Sequence, residues 1–594
     1  MGYRPNSFEA TNLIREDFNM RIPRSEYPRP QFVREGWMNL NGSWQFEIDN
    51  DRSGEERELY KKGTTLEGSI LVPFCPESKL SGVCHTDFML GVCYKRSFVL
   101  EELPEHALLH FGAVDYFCMV YVNENYVGCH KGGYVSFALD VTEALSLGEN
   151  EITVFVEDDT KDHSIPSGKQ SDRPESHGCY YTRTTGIWQT VWLEFMPEEH
   201  IEGVMFYPNI TDCSVTANLK LCGTADLSCE VFYEGEKMGE YSAEAVSEEV
   251  TFNIPLKEEH LWEVGKSRLY DVKFTFGKDK VDSYFGLREV LLDGFKFLIN
   301  GKSVFQRLVL DQGFYPDGIY TAPTDEALKK DIELSLACGF NGARLHEKVF
   351  EERFLYHADK MGYIVWGEYP DWGFDNRTKE GLYHILPEWT EEVVRDFNHP
   401  SIVGWCPRNE VWEQFGGMPD SEVLSSLYDI TKSMDPTRPC IDTSGGYHTK
   451  TDIFDVHDYD QNPETFKANY DRIMTEGHLH DWLSNKEVKH TYNGEATFVS
   501  EYGGIKWVDG QKRENDDKVS WGYGDAPTSE EEFKYRFKGL TDALLDNDKM
   551  FGLCYTQLTD VEQEQNGLYT YDRRAKFDPK FFHDVLSRKA KIED

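Results

Sequence analysis

The sequence predicts a chain of three domains: a jelly-roll β-sandwich over residues 1–197, an immunoglobulin-like β-sandwich over residues 198–289 and a (β/α)8 TIM barrel over residues 290–594. Before residue 290, short aromatic and β-branched runs alternate with turn residues, which is typical of β-sandwiches. After it, strand-like runs alternate with amphipathic segments, which favours a parallel sheet covered by helices. At 594 residues the chain is also too long for one hydrophobic core.

Two sets of β runs divide the first half of the chain. The first set lies within about 190 residues, and its turns fall at segments such as 123–125, 131–133 and 148–150. The second set begins near residue 198 and covers roughly 90 residues, the size of an immunoglobulin-like sandwich. We therefore expect two sandwiches rather than one.

The barrel prediction rests on eight strand-like runs in about 300 residues, the number that a (β/α)8 barrel requires. Between them, segments 325–338 and 350–361 place apolar residues three and four apart, which predicts helices. The predicted strands are 304–311, 341–346, 363–368, 401–405, 440–443, 454–459, 497–501 and 552–557.

Composition excludes several classes of partner. The chain has 62 basic and 105 acidic residues, and the net charge of −43 repels nucleic-acid phosphates and anionic lipid. No run reaches the roughly 18 apolar residues of a membrane span, and no signal-peptide core is evident. Thirteen cysteines without a CxxC pair indicate buried thiols in a reducing compartment. We therefore expect a cytoplasmic protein without nucleic-acid or membrane partners.

Two glutamates carry the functional prediction. Glu410 and Glu501 follow the fourth and seventh predicted strands, where each run breaks into a loop. Side chains at such positions converge at the C-terminal mouth of a barrel, where substrate binds. One such glutamate could simply cap a helix or pair with an arginine. Two of them favour cleavage of a glycosidic bond, with one carboxyl group as nucleophile and the other as acid and base.

Several motifs occur in one order along nearly the whole chain. They are WMNLNGSW (37–44), VPF (72–74), TGIWQTVW (185–192), YFGLR (284–288), INGK (299–302), HPS (399–401), NE (409–410) and SEYGG (500–504). With them the sequence resembles glycoside hydrolase family 2, which contains β-galactosidases, β-glucuronidases and β-mannosidases. The resemblance implies that Glu410 is the acid/base, that Glu501 is the nucleophile and that Asn409 bonds the sugar 2-hydroxyl. It also implies a sugar-binding-like first domain, a glycoside substrate, no cofactor and a homo-oligomer.

Further residues are expected around the two glutamates. A nucleophile needs hydrogen-bond donors, and Arg344 on the second strand and Tyr459 on the sixth are the candidates. Alternatively, Arg344 only neutralises Glu368, and Tyr459 only packs. A general acid needs a raised pKa, which the less polar surroundings of Trp405 and Trp412 could supply.

Other polar and aromatic residues are expected at the barrel mouth. The polar ones end predicted strands and either contact sugar hydroxyls or form a polar network in the barrel core. Their histidines lack the His-Glu-x-x-His spacing of a zinc site, so we expect no catalytic metal. The aromatic ones suit stacking on sugar faces. The polar residues are Asp311, His346, Glu368 and His457, and the aromatic residues are Tyr369, Trp372, Trp412, Trp507 and Trp521.

The sugar itself is the least determined feature. Predicted strands one, two and eight end differently from those of β-galactosidases, and the Asn-x-Lys pair with which β-glucuronidases hold the sugar carboxylate is not evident. We expect Arg408, two residues before Glu410, and Lys506 to hold the C6 carboxylate of a uronic acid, with galacturonate first. If Arg408 only balances Asp311 or Glu368, a neutral galactoside becomes the substrate.

The predicted function is therefore hydrolysis of a terminal β-linked sugar with retention of configuration. A β-galacturonidase is preferred over a β-glucuronidase, and a β-galactosidase is the alternative within the family. Two alternatives come from other classes, a catalytically silent carbohydrate-binding protein and a transglycosylase. The intact pair of glutamates argues against the first, and sequence alone does not separate the second.

Overall fold

The computed structural model describes residues 22–413, 417–485, 491–508 and 520–594. Two β-sandwiches precede a barrel, so the predicted fold class is confirmed. The strands of the first sandwich are β1 (Trp37–Asn39), β2 (Gly42–Ile48), β3 (Gly68–Val72), β4 (Gly91–Leu100), β5 (His106–Phe111), β6 (Val114–Asp115), β7 (Phe117–Val122), β8 (Asn125–Lys131), β9 (Phe137–Asp140), β10 (Gly148–Glu157), β11 (Gly186–Ile187) and β12 (Val191–Met196).

The first sandwich packs a six-stranded sheet against a four-stranded sheet. The strand orders are β3-β2-β4-β10-β7-β8 and β1-β12-β5-β9. Side chains alternate between the two faces of a strand, so each sheet contributes one apolar face to the core. Trp44 and Tyr94 come from the larger sheet, and Leu109 and Leu193 come from the smaller one.

The second sandwich is built around one long hairpin. Its strands are β13 (His200–Asn209), β14 (Ser214–Tyr233), β15 (Glu236–Pro255), β16 (Leu269–Phe276) and β17 (Asp279–Gly286). The first half of β14 pairs with β13 and the second half pairs with β16. The register with β15 shifts between Lys220 and Thr224, where a bulge lets the strand pass from one layer to the other. Ala217 and Val231 therefore reach the same core.

The barrel is a curled sheet of parallel strands in the order β24-β23-β22-β21-β27-β26-β25. Its strands are buried on both faces because helices cover the outside. A small sheet of β18 (Val290–Asp293), β19 (Lys296–Ile299) and β20 (Lys302–Ser303) precedes it. The barrel strands are β21 (Gln306–Asp311), β22 (Gly342–Leu345), β23 (Ile364–Glu368), β24 (Ile402–Cys406), β25 (Val456–Asp458), β26 (Thr497–Gly503) and β27 (Met550–Thr556).

Several of the helices around the barrel begin or end at capping residues. The Thr324 side chain accepts a hydrogen bond from the Ala327 amide at the start of the first helix. The second helix ends at Gly362, which has a left-handed φ of 64°. In the described part of the chain no helix is long and apolar enough to cross a membrane. The α-helices are α1 (Asp325–Ala337), α2 (Glu352–Met361), α3 (Leu382–Asp396), α4 (Ser421–Met434), α5 (Pro463–Glu476), α6 (Glu530–Leu545) and α7 (Pro579–Leu586).

The predicted fifth barrel strand, residues 440–443, is wrong as a regular strand. This segment meets β24 only through a parallel bridge between Trp405 and Cys440 and a second bridge just beyond the strand end. Side chains bond two backbone amides of this segment in place of a neighbouring strand, because Asp452 accepts the Cys440 amide and Asp442 accepts the Thr443 amide, both at 2.9 Å. Backbone groups held by local carboxylates are not available to a neighbouring strand.

A loop of the first sandwich reaches the mouth of the barrel. The amides of Ser167 and Gly168 donate to the Trp372 carbonyl oxygen at 2.8 and 3.1 Å. Gly168 has a φ of +55°, and a Cβ atom there would lie 2.9 Å from the Pro370 side chain. Only glycine allows so close an approach. The loop therefore forms part of the wall above the barrel strands.

Candidate active site

The two glutamates reach the barrel mouth by different routes. Glu501 lies within β26, two residues before its end, and its Cα pairs with that of His457 on β25. Glu410 lies four residues beyond the end of β24, in a left-handed conformation with a φ of 50°. Its amide donates to the Ser444 carbonyl oxygen at 2.8 Å, which fixes this turn. An uncommon backbone conformation at such a residue is typical of functional sites.

Glu410, His457 and Glu501 form the centre of the site. One carboxyl oxygen of Glu410, one carboxyl oxygen of Glu501 and one ring nitrogen of His457 all lie within 4.8 Å of one another. His457 Nδ1 lies 2.8 Å from Glu410 Oε1, and His457 Nε2 lies 3.5 Å from Glu501 Oε1. The imidazole therefore bridges the two carboxyl groups.

Glu501 has one donor on each carboxyl oxygen. Arg344 Nη1 donates to Oε1 at 3.1 Å, and the Tyr459 hydroxyl donates to Oε2. Arg344 also pairs with Glu368, so this arginine contacts both carboxylates and does not only neutralise Glu368. Tyr459 stacks on Tyr523 with ring centroids 3.3 Å apart. Burial together with Glu501 raises the pKa of Tyr459 well above 10, so it remains a donor.

The expectation of a raised pKa at Glu410 is wrong for the free protein. Burial does raise it, but the hydrogen bond and charge of His457, with the charges of Lys169 and Arg344, outweigh burial and lower the pKa of Glu410. Burial lowers the pKa of His457, but Glu501 and Glu410 outweigh it and raise that pKa. Trp405, one of the two tryptophans expected to raise the pKa of Glu410, instead donates a hydrogen bond from Nε1 to Asp435.

Two hydrogen bonds position Asn409, and its side-chain nitrogen remains available to a ligand. Its side-chain oxygen accepts a hydrogen bond from Arg344 Nη2 at 3.1 Å, and its backbone N–H donates to Asp371 Oδ1 at 2.8 Å. Its side-chain nitrogen is buried and has no acceptor among the described residues. A buried donor without a partner is uncommon and indicates a ligand or water position.

The strand-end residues divide into two groups. His346 Nδ1 lies 3.2 Å from Glu368 Oε2 and 3.9 Å from Glu501 Oε1, so His346 and Glu368 belong to the site. Asp311 does not contact the glutamates. Its carboxylate accepts the Gly313 amide at 3.0 Å, and burial together with Asp331 raises its pKa to about 7. For Asp311 the structure therefore favours the polar network of the barrel core.

The two cations predicted to bind a carboxylate have partners within the protein, and their contact with a sugar carboxylate stays a prediction. Arg408 is fully buried, with Nη1 3.3 Å from Asp371 Oδ2 and its guanidinium over the Phe374 ring. It balances a buried carboxylate, although not Asp311 or Glu368. Lys506 Nζ donates to the Ser520 carbonyl oxygen at 2.6 Å. The sequence did not reveal these partners because they lie 37 and 14 residues away.

The aromatic candidates also differ in their positions. Trp507 is half-buried and packs against Phe533 and Phe577, and its contact with sugar stays a prediction. Trp372 donates through Nε1 to the Asn409 carbonyl oxygen at 3.2 Å and therefore lies beside the site. Trp412 is half-buried and contacts Trp482 edge to face, and its contact with sugar stays a prediction.

Lys169, from the loop of the first sandwich, is a site residue that the sequence analysis missed. Its Nζ lies 3.4 Å from the centroid of the Trp372 ring. Burial disfavours its charge, but Cys179, Glu410 and Glu347 outweigh burial and raise the pKa of Lys169. Because the loop is distant in sequence from the barrel and has no periodic pattern, nothing in the sequence pointed to it.

Two groups of side chains among the described residues have the spacing of metal ligands. One is the catalytic group itself. The other is His200, Glu202 and Cys222 on neighbouring strands of the second sandwich. Hydrogen bonds and ion pairs already engage the carboxylates of the first group, so the absence of a catalytic metal stays our prediction.

Two sandwiches ahead of a barrel with paired glutamates at its mouth define a class, the multidomain glycoside hydrolases. The chain belongs to glycoside hydrolase family 2. Three sequence profiles of that family match it: the sugar binding domain over residues 85–197, the domain described as "Glycosyl hydrolases family 2" over residues 199–288 and the TIM barrel domain over residues 291–505.

Curated relatives include enzymes with two kinds of name. A β-galactosidase of Thermoanaerobacterium thermosulfurigenes is 27% identical over 419 residues, which cover 67% of this chain and 57% of that protein. A β-glucuronidase of Paenibacillus borealis is 25% identical over 459 residues, covering 70% and 74%. The chain therefore spans little more than half of the β-galactosidase.

Solved structures share the whole architecture. A β-glucuronidase from an uncultured Clostridium sp. has a TM-score of 0.75 at 21% identity, covering 95% of this chain and 100% of that one. The Ruminococcus gnavus β-glucuronidase in complex with D-glucuronic acid has a TM-score of 0.75 at 19% identity, covering 96% and 100%. At this identity the likeness shows the fold.

Proposed function

We propose that the protein is a retaining exo-β-glycosidase that removes a terminal β-linked sugar by double displacement. The observation that carries the proposal is the close approach of the two carboxyl groups, since one oxygen of Glu410 and one oxygen of Glu501 lie within 4.8 Å of each other. Retaining enzymes place their carboxyl groups about 5–5.5 Å apart, whereas inverting enzymes leave about 6.5–9.5 Å for a water molecule. The short separation supports direct attack by a carboxylate.

In this proposal Glu501 attacks the anomeric carbon. Arg344 and Tyr459 stabilise its anionic form and fix its orientation, because each donates to a different carboxyl oxygen. The bond from the anomeric carbon to the leaving oxygen breaks as the bond to Glu501 forms. The unmatched side-chain nitrogen of Asn409 would donate to the sugar 2-hydroxyl.

Glu410 protonates the leaving oxygen in the first step and takes a proton from water in the second. Its lowered pKa means that in the free protein the proton lies mainly on His457. Bound substrate excludes water and strengthens the repulsion between the two glutamates, which favours a protonated Glu410. Formation of the glycosyl-enzyme removes the charge of Glu501, so Glu410 then acts as a base.

For the sugar we propose a β-uronide, with galacturonide tested before glucuronide. Relatives and structural neighbours named β-glucuronidase support an anionic sugar. A neutral β-galactoside is the second candidate, because Arg408 is engaged by Asp371 and relatives named β-galactosidase exist. A homo-oligomer and a cytoplasmic location stay predictions.

A panel of 4-nitrophenyl glycosides tests the proposal. It should include the β-galacturonide, β-glucuronide, β-galactoside, β-mannoside and arabinoside, with product analysis for transfer to added acceptors. We expect hydrolysis of at least one β-glycoside that is lost in Glu501→Gln. Binding without turnover of any of them would favour a carbohydrate-binding protein, and dominant transfer products would favour a transglycosylase.

A further inference from the structure

Lys169 differs from other buried lysines because its ammonium group has no oxygen acceptor. Lys95 and Lys348 are also buried, and each donates to an oxygen, at 2.7 and 2.8 Å. Lys169 is 6% exposed, yet within residues 22–413, 417–485, 491–508 and 520–594 its Nζ makes no hydrogen bond or ion pair. Its partner is the face of Trp372. Burying an ammonium without an acceptor is unfavourable, so an acceptor from beyond the described residues would stabilise it.

The electrostatic effects of Lys169 locate it beside the catalytic pair. Its charge contributes to lowering the pKa of Glu410. It also acts on Glu564, whose pKa burial raises to about 7 and which feels the charge of Glu501 as well. Trp372, which carries the ammonium, is hydrogen-bonded to the backbone carbonyl next to Glu410. The ammonium therefore lies on the Glu410 side of the barrel mouth, on a ring that is bonded to the residue before Glu410.

The other cations of the site are already engaged. Each is within hydrogen-bonding or ion-pair distance of a carboxylate, although Nε and Nη2 of the Arg408 guanidinium have no hydrogen-bond partner among the described residues. Arg344 pairs with Glu368 and Glu501, His457 pairs with Glu410, and Arg408 pairs with Asp371.

We propose that Lys169 binds the C6 carboxylate of a uronic sugar and thereby selects anionic over neutral sugars. The inference rests on the proposed glycosidase function and names the residue that determines its substrate class. Trp372 occupies one side of the ammonium group by a cation–π contact and fixes its position, and the N–H donors that point away from the ring can reach a carboxylate.

A charge argument favours a carboxylate over a hydroxyl as the acceptor. A uronate would bring a third negative charge beside Glu410 and Glu501, and it could bind only if a cation compensated it. A hydroxyl group would leave the buried ammonium with a weaker, uncharged acceptor. Unlike Arg344, His457 and Arg408, Lys169 makes no ion pair with a carboxylate of the described residues, so we assign the compensating charge to it.

The test compares kcat/KM for the 4-nitrophenyl β-galacturonide, β-glucuronide and β-galactoside in the wild type, Lys169→Met and Lys169→Arg. Because Lys169 also acts on Glu410, its removal affects every substrate, and the ratio of uronide to galactoside rates cancels that shared loss. We expect the ratio for the preferred uronide to fall by about 30- to 3,000-fold in Lys169→Met. Lys169→Arg should restore part of it.

Lys161→Met is the matched control. Lys161 lies on the same loop, is exposed, and its Nζ also lies 3.4 Å above an aromatic ring, that of Phe88. We expect no change in the ratio for this variant.

The outcomes separate two failures. A wild type inactive on every glycoside of the full panel would overturn the proposed function. A wild type that is active but does not prefer a uronide, or a ratio unchanged in a folded Lys169→Met, would overturn only the assignment of Lys169.

Discussion

Replacing His457 by glutamine should change the pH dependence of activity in a defined direction. In the wild type, His457 Nδ1 lies 2.8 Å from Glu410 Oε1, and the pair holds one proton until the pH exceeds the raised pKa of His457. Because the shared proton can lie on either residue, the pair has more ways to hold it than Glu410 alone. The apparent pKa at which the pair loses the proton is therefore no lower than the pKa that Glu410 has beside a neutral partner. In His457→Gln the proton can lie only on Glu410.

The basic limb of the pH profile, where kcat/KM falls at high pH, should therefore move to lower pH in His457→Gln. At the same time the pKa of Glu410 itself should rise from its lowered value, because burial is no longer opposed by His457. Coulomb's law for unit charges about 3 Å apart gives roughly 5 kcal/mol at an effective dielectric constant of about 20, or about 4 pKa units. Since the interaction is shared between the partners, we expect the limb to move by about one to two units.

The assay is kcat/KM between pH 4 and 9 on the fastest nitrophenyl glycoside. His399→Gln is the matched control, because His399 is also buried and lies 2.6 Å from Asp359, just ahead of β24 and away from the mouth. It should lower thermal stability and leave the limb in place. An unchanged limb in a folded His457→Gln would refute the shared-proton account.

Four further outcomes follow from the site. Glu501→Gln should abolish turnover, whereas Glu410→Ala should keep activity on substrates with good leaving groups and form a β-glycosyl azide with added azide, as chromatography would show. Proton NMR of early product should detect the β-anomer first, and early α-anomer would indicate inversion. Tyr459→Phe should lose about 10- to 150-fold in kcat/KM, since one hydrogen bond to a charged group is removed while the stacked ring remains. Arg408→Met should lower the melting temperature and reduce uronide and galactoside rates equally; a selective loss on uronides would restore its predicted role.

Local sequence patterns were sufficient to predict the architecture and the meeting of the two candidate glutamates at the barrel mouth. Strands such as β21 and β26 are continuous apolar runs, because parallel barrel strands are buried on both faces. The prediction of the fifth strand failed because Asp452 and Asp442 accept the amides of Cys440 and Thr443, and such side-chain competition is not visible in the sequence pattern. Glu410 and Glu501 were found because strand ends converge at one mouth whatever the intervening loops do.

The charges around the site could not be assigned from the sequence. Alternation along a strand placed Arg408 beside Glu410, but the chain has left the strand after Cys406, so the argument from side-chain direction no longer applied. Lys169 reaches the site through a loop of another domain, and its role depends on three-dimensional packing against Trp372. Interactions between distant segments decide which cation remains available.

Trapping the covalent intermediate tests the central claim most directly. The 2-deoxy-2-fluoro analogue of the sugar that the protein hydrolyses fastest slows the second step and allows the glycosyl-enzyme to accumulate. Peptide mass spectrometry should find one sugar on the peptide that carries Glu501, and none in Glu501→Gln. Attachment at another residue, or first release of the α-anomer without an adduct, would contradict the account.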